Sequence, residues 1–335
     1  MKIAITGGAG FVGSHLAKAY LDAGHDVFVI DSLATGSRHA IDPRARFYQE
    51  DVRDRKLQHL LQCERPDIVS HHATQQHEPG TADHTLTDAD VHVRGLINVL
   101  DSCVSASVKR IVFASGGNSM YGPVDASQLP INEESALYPR SVQDISKVAG
   151  EWYVRYYTQQ YGLTHTIFRY ADIYGESDSI YAHHPLSYFI RMLMEQKRAI
   201  IYGTGNELQD HIFIDDIIQA NLLMLKNPMR AENTTMHISS GHGYSLNQLY
   251  HMAAMVEESD IEPIYLGSPY LKSPSIILDN TRARHILGWQ PHTSLSEGVR
   301  LAVAHMLPQK EVQPQLARVH TSPIMLAAEV TLTRA

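Results

Sequence analysis

The sequence predicts an α/β protein: a doubly wound parallel sheet followed by a smaller mixed α/β lobe at the C-terminal side. Three observations predict it. Short apolar strands alternate with helical patterns from the first residues, which implies parallel strands covered on both faces. A glycine-rich turn, Gly7-Gly8-Ala9-Gly10-Phe11-Val12-Gly13, joins the first strand to the first helix. The regular alternation loosens after about residue 171, where shorter strands and helices follow.

Residues 2–6 form an apolar run of strand length, and residues 11–23 carry the helical pattern that follows the glycines. Residues 26–30 (DVFVI) give a second strand, and a third apolar segment ends at Asp51. Residues 67–71 (DIVSH) and 110–114 (RIVFA) are two more short strands, with a long helical pattern over roughly 88–105 between them. A helix follows over about 142–161, then strand 165–170 (HTIFRY). Residues 177–184 read as a polar loop and 186–195 as a helix. Residues 199–202 form a short strand closed by Gly203-Thr204-Gly205, 211–214 another, and 216–225, 245–255 and 295–305 are later helices. The expected organisation is therefore a first domain over 1–170, with segments near 206–240 returning to it. A lobe over 171–307 follows, and then a tail, 308–335, whose pattern fades and whose role the sequence does not give.

Composition narrows the classes. A length of 335 residues suits two lobes. With 44% hydrophobic and 19% charged residues the chain is neither disordered, collagenous nor a coiled coil. The net charge of −8 argues against a nucleic-acid or anionic-membrane surface. The 20 histidines show no metal-ligand spacing, so no metal is expected. The only cysteines, Cys63 and Cys103, exclude a disulfide framework and suit a reducing compartment. The first residues lack the charged and apolar regions of a secretory leader, and no apolar run approaches the ~18 residues of a membrane span. A cytoplasmic protein is expected.

The glycine turn carries the chemistry. Gly7 permits a tight turn, Gly10 lets the backbone approach a pyrophosphate, and Gly13 lets the helix pack on the strand. The helix start then offers free N–H groups and a partial positive charge to phosphates. Asp31 closes the next strand at the place where a carboxylate accepts the ribose hydroxyls of an adenosine. That carboxylate repels the extra phosphate of NADP, and Ser32 supplies no cation. A Rossmann-type domain binding NAD follows, with Asp51 as an adenine contact.

Eight motifs in order then carry a resemblance: TGGAGFVGSHL, VIDSLATG, EDVRD, HHAT, SMYG, Ser146-Lys147-x-x-x-Glu151, FRYADIYG and LGWQP. Over roughly residues 1–305 the chain resembles the extended short-chain dehydrogenase/reductases, in particular the NAD-dependent epimerase/dehydratase group typified by UDP-galactose 4-epimerase. The resemblance implies tightly held NAD and a C-terminal lobe holding a nucleoside-diphosphate sugar. It places Gly7, Gly10, Phe11, Val12, Gly13, Asp31, Ser32, Leu33, Gly36, Asp51, Val52, His72, Ala73, Thr74, Gln76 and Tyr170 at the cofactor. Lys147 reaches the nicotinamide ribose. Ile200 and Tyr202 flank the nucleotide base. The helices over about 88–105 and 142–161 correspond to a dimer bundle, so a homodimer is expected, and the second carries Trp152, Tyr153, Tyr156 and Tyr157.

The same resemblance marks departures. The family's catalytic Tyr stands four residues before the Lys, on the same helix face; here that position is Gln143, which is neutral at every accessible pH. The hydroxyl residue that steadies the sugar oxygen aligns with Gly116, with Ser115 or Ser119 as stand-ins. Asp172 replaces an Asn, His92 an Asn, and Gln209 an Arg that pairs with the diphosphate; Lys272 is a candidate replacement cation. Asp172 is the leading substitute base or sugar-hydroxyl partner, ahead of Tyr121, Asp144, His183 and His184. The expected function is NAD-dependent epimerase/dehydratase-like chemistry on a sugar nucleotide with an atypical acid/base set. The alternatives are a non-catalytic NAD-binding protein and an oxidoreductase acting on another small molecule.

Overall fold

The computed structural model describes residues 1–75, 85–175, 184–267 and 274–306. Strand β1 (Lys2–Thr6) leads through the glycine turn into α1 (Phe11–Asp22), then β2 (Asp26–Asp31), β3 (Arg46–Gln49), α2 (Lys56–Glu64) and β4 (Ile68–His71). A continuous helical run follows: α3 (Thr85–Ala89), a π-helical stretch (Asp90–Gly95) and α4 (Leu96–Ser105). The chain continues through β5 (Arg110–Gly116), α5 (Val142–Tyr161), β6 (Thr164–Tyr170) and β7 (Asp172–Tyr174). Next come α6 (Pro185–Met194), β8 (Ile200–Tyr202), β9 (Leu208–Phe213), α7 (Ile214–Lys226) and β10 (Thr234–Ile238). The described chain ends with β11 (Gly243–Ser245), α8 (Leu246–Val256), β12 (Ile264–Leu266), α9 (Thr281–Leu287) and α10 (Leu295–Met306).

The main sheet has seven strands in the order β10-β6-β5-β4-β1-β2-β3, all parallel. The order reverses between β1 and β4, which opens a crevice at their carboxyl ends, where such sheets bind ligands. One face packs on α1 and α7 through Leu16, Tyr20, Ala220 and Met224; the other packs on α2, α4 and α5 through Leu61, Leu96, Val99 and Val154. The central strands are buried on both sides, which explains their near-continuous apolar sequence. A three-stranded sheet (β11-β9-β7), a two-stranded sheet (β12-β8) and helices α6, α8 and α10 make the smaller lobe.

Local chemistry sets the boundaries. Ser141 caps α5 by accepting the Asp144 N–H at 3.0 Å, and Gly162, at φ 70°, ends it. Ser245 and Gln248 form a reciprocal cap on α8. The helix read from residue 88 begins earlier, at Thr85, and widens into the π-helical stretch. Strand β10 has no counterpart in the sequence reading. The loop over 177–184 lies, apart from His184, outside the described residues, as does the tail over 308–335.

The interior also holds uncharged histidines. His71 bonds Thr6, His165 bonds Thr158, His184 bonds His211, and His237 bonds the Asp279 carbonyl. Burial drives all of them, and His72, below the ordinary imidazole range.

Candidate active site

The crevice begins at the glycine turn. Gly7 has φ 71°, and a Cβ there would sit 2.5 Å from the Ala73 backbone nitrogen. A Cβ on Gly13 would lie 2.2 Å from the Gly7 carbonyl oxygen, so the start of α1 packs directly on the turn. A Cβ on Gly10 would meet only that carbonyl, at 3.3 Å, and would otherwise project into open space. Helix α1 starts without a side-chain cap and without an acidic residue in its first turn. Its first N–H groups, from Phe11, Val12 and Gly13, therefore face the crevice as an anion site.

The Asp31 carboxylate accepts the Ala9 N–H at 2.9 Å and the Leu33 N–H at 2.8 Å. These bonds fix it beside the glycine turn. Leu33 takes the left-handed conformation at φ 61°, and Gly36 closes on Ala9, where an added Cβ would approach to 2.9 Å. Ser32 is exposed. Asp51 chelates Arg53 through bonds of 2.7–2.9 Å, whose donors hold its carboxyl below the usual range against burial. Val52 is buried behind it. The residues fit NAD: a side-chain-free cradle for phosphates, an oriented carboxylate for ribose, and an apolar wall.

The opposite wall comes from β4, β5, β6 and α5. Lys147 donates to the Ala114 carbonyl at 2.8 Å, with its ammonium 5.3 Å above the Phe113 ring. Burial lowers its pKa to about 8, opposed by the charges of Asp88 and Glu151. One turn earlier, Gln143 is exposed and donates from Nε2 to the Thr74 hydroxyl at 3.2 Å. Thr74 lies 2.8 Å from His92 Nε2, and His92 Nδ1 lies 3.0 Å from Asp88 Oδ2. His72 and Tyr170 meet at 3.4 Å behind Ala73, and Tyr170 also accepts from Asn221.

Asp172 begins β7, just past the carboxyl end of β6. Burial raises its pKa to about 6; a hydrogen bond with Asn118 opposes this and the charge of Asp144 adds to it. Ser119 donates to Asp144, which also accepts from Ser141, so both serines serve the α5 start. Ser115 is buried and donates to Glu151 at 2.8 Å, inside a buried ion pair with Arg169. Tyr121 accepts from Arg169 and bonds His237, which makes it part of the same interior network. Gly116 lies over Met120, and an added Cβ would be 3.9 Å from Asp144 Oδ1.

In the smaller lobe, Ile200 donates its N–H to Tyr188, and Tyr202 is exposed. Gln209 donates to the Pro274 carbonyl at 2.6 Å. Gln76, His183 and Lys272 lie outside the described residues. The sequence reading missed Asp88. Its spacing of four residues to His92 was the available signal, because i and i+4 share a helix face. Among the described residues, no group of His, Cys, Asp and Glu is arranged to hold a metal.

A Rossmann sheet with a phosphate cradle and a ribose-directed carboxylate defines an NAD-dependent protein. Residues 3–239 match the model of the NAD-dependent epimerase/dehydratase family, and the chain belongs to that family. The chain is 31% identical over 320 residues to UDP-glucose 4-epimerase of Lactobacillus helveticus, covering 90% of this chain and 96% of that one. It superposes with a TM-score of 0.87 on UDP-glucose 4-epimerase of Thermotoga maritima, solved with UDP-glucose, at 30% identity over 92% of this chain and all of that one. The Thermus thermophilus UDP-glucose 4-epimerase, solved with NAD, superposes with a TM-score of 0.84 at 28% identity, over 92% of this chain and 99% of that one.

Proposed function

We propose that this chain is a sugar-nucleotide epimerase, an isomerase acting on a UDP-hexose, with an unusual set of proton-handling residues. The observation that carries the reading is the pairing of an NAD cradle with Lys147, which stands across the crevice on the Ala114 carbonyl. The relatives named above act on UDP-glucose. Bound NAD supplies a hydride acceptor for oxidation at a sugar carbon. The first N–H groups of α1 bind its pyrophosphate, Asp31 its adenosine ribose and Lys147 its nicotinamide ribose. Residues 1–170, with segments near 206–240 returning to them, form the cofactor domain, and 171–307 mainly supply the sugar-nucleotide side, with Ile200 and Tyr202 at the base and Gln209 near the diphosphate.

Gln143 occupies the position of the family's proton-accepting Tyr and cannot ionise. It orients a sugar hydroxyl by hydrogen bonding. We assign Asp172 to gripping a sugar hydroxyl from the other side. Ser115 serves the fold, and Ser119 positions the start of α5.

The chain also carries a docking face. Trp152, Tyr153, Tyr156 and Tyr161 are exposed along α5, with Ile145 and Leu86 near its start, and this supports a homodimer through that helix. Cys63 and Cys103 are unpaired, in keeping with a cytoplasmic protein. No helix among the described residues is long and apolar enough to cross a membrane.

The test is interconversion of UDP-galactose and UDP-glucose by the purified, NAD-loaded protein. Product at a rate removed by Lys147→Met supports the reading. Tight NAD binding with no conversion of any UDP-hexose defeats it and favours the second reading, a non-catalytic NAD-binding protein, which the neutral Gln143 motivates.

A further inference from the structure

Behind Thr74, at the cofactor edge of the crevice, stand two interior side chains that the cofactor contacts do not explain. Asp88 and His92 are nearly fully buried, at 0% and 4% exposure. The His92 ring lies between Asp88 and Thr74, with Nδ1 3.0 Å from Asp88 Oδ2 and Nε2 2.8 Å from the Thr74 hydroxyl. Thr74 is exposed and follows β4 at the carboxyl edge of the sheet. It accepts the Gln143 amide at 3.2 Å, so it stands beside the position from which the family's Tyr would project.

The tautomer follows from the contacts. The Gln75 backbone N–H, which can only donate, points at His92 Nε2 from 3.1 Å. Nε2 is therefore an acceptor, and the Thr74 hydroxyl donates to it. The ring proton sits on Nδ1, facing Asp88, whose other oxygen accepts from Ser146 at 2.6 Å. Hydroxyl, imidazole and carboxylate stand in this order, with the carboxylate 3.0 Å from the imidazole, and it is this order of groups that turns an alcohol side chain into a proton acceptor. The π-helical stretch Asp90–Gly95 carries His92, and such wide turns are frequent at functional sites.

Resting on the epimerase reading, we infer that Thr74, His92 and Asp88 form a proton relay that replaces the missing tyrosine. A sugar hydroxyl takes the place of the Gln143 amide on Thr74 Oγ1. Its O–H bond breaks and a Thr74 O–H bond forms. The original Thr74 proton moves to His92 Nε2, giving an imidazolium opposite Asp88. Bound NAD would supply the acceptor for the hydride of the same carbon and its electron pair, which balances the oxidation of one alcohol to one ketone. Return of the hydride reverses the proton path. Thr74 is the catalytic residue; His92 and Asp88 act through it as positioning residues. Other groups also face this ring: α5 brings Gln143, Ser146 and the Lys147 ammonium, whose charge interacts with Asp88, and β4 brings His71.

Two measurements test this. The first uses nitrogen-15 NMR of histidine-labelled, NAD-loaded protein, with the His92 signals identified by their loss in His92→Asn. The relay requires a neutral ring protonated on Nδ1 that gains its second proton on Nε2 as pH falls. A neutral ring protonated on Nε2 overturns it, whether or not the protein turns over a sugar. The second compares turnover of UDP-galactose. Thr74→Val should lower kcat at saturating NAD by ~10²-fold or more, the usual worth of a positioned base. Thr74→Ser should recover turnover that Thr74→Val loses. In wild type the acid limb of the kcat profile should coincide with the His92 midpoint read by NMR, and should be missing in His92→Asn. Wild-type kcat in Thr74→Val, or an unchanged acid limb in folded His92→Asn, overturns the relay. A wild type that converts no UDP-hexose defeats the epimerase reading instead, and the ring tautomer still decides the arrangement.

Discussion

The Lys147 ammonium lies 2.8 Å from the Ala114 carbonyl oxygen, across the crevice from the glycine turn, and is held there over the Phe113 ring. Its burial has a measurable consequence. Its folded-state pKa is depressed from 10.5 to about 8, so the ammonium discharges as pH rises through about 8. NAD affinity should decline over that range in wild type, and the decline should be absent in Lys147→Met. The stability sign is opposite: between about 8 and 10.5 the unfolded chain binds the extra proton, so folding stability gained from this group rises with pH. Calorimetric titration with NAD and denaturant melts at several pH values check both.

Asp31 is fixed by two backbone donors before any ligand arrives. Asp31→Asn keeps the shape but loses the charge that strengthens bonds to ribose hydroxyls. NAD affinity should fall by about 2 kcal/mol, roughly thirtyfold, with discrimination against NADP reduced. Fluorescence titration with both cofactors measures it. Unchanged preference for NAD would remove Asp31 as the discriminating group.

Gly13→Ala drives a methyl group to 2.2 Å from the Gly7 carbonyl, where only backbone displacement can relieve the contact. Overpacking of this kind costs about 1–3 kcal/mol. The melting temperature should drop and NAD binding should weaken together, because the same shift moves the phosphate cradle.

Glu151 accepts from Arg169 and Ser115 and is fully buried. Burial alone would raise its carboxyl, but the Arg169 hydrogen bond and charge, with Ser115, hold it below the usual range. This contribution to stability is present above the ordinary carboxylate range and is lost as pH falls through the depressed folded value. Glu151→Ala strands the guanidinium and should cost about 3–5 kcal/mol. Ser115→Ala should cost about 1 kcal/mol, seen as a stability loss and not a fall in kcat.

Asp172 contributes a carboxyl with a pKa of about 6, raised by burial. Asp172→Asn should raise KM for the sugar nucleotide while leaving the His92-dependent acid limb in place. Loss of that limb in Asp172→Asn would make Asp172 the base and remove the relay.

The fold was legible because the central strands are apolar on both faces and the glycine turn encodes a backbone shape directly. The NAD cradle shares that directness: Gly7, Gly10, Gly13 and Asp31 act through positions that spacing alone reveals. Strand β10 was not legible, since TTMHI is mostly polar. Its polarity is absorbed by tertiary partners, among them Glu133, which accepts the His237 N–H at 2.8 Å. Asp88 hid for a related reason. Set in the stretch Thr85–Ala89 next to Asp90, it reads as a solvated helix face, and only the docking of α5, with Ser146, buries it. The departures at Gln143 and His92 stood out singly; their link through Thr74 needs the loop after β4 folded against the helical run.

The buried histidines set a limit on the conditions this protein withstands. His71, His72, His165, His184, His211 and His237 refuse protons in the folded state, with His165 and His211 near 4 and His72 and His237 near 3. In an unfolded chain each takes a proton near pH ~6.5. Mild acid therefore acts as a selective ligand for the unfolded chain. Stability is intact above about 6.5 and drains away from there toward 4 as several sites fill at once. The loss should begin above the range where the ion-paired carboxylates, Glu151 among them, titrate, so that acidification unfolds the molecule before those ion pairs are broken.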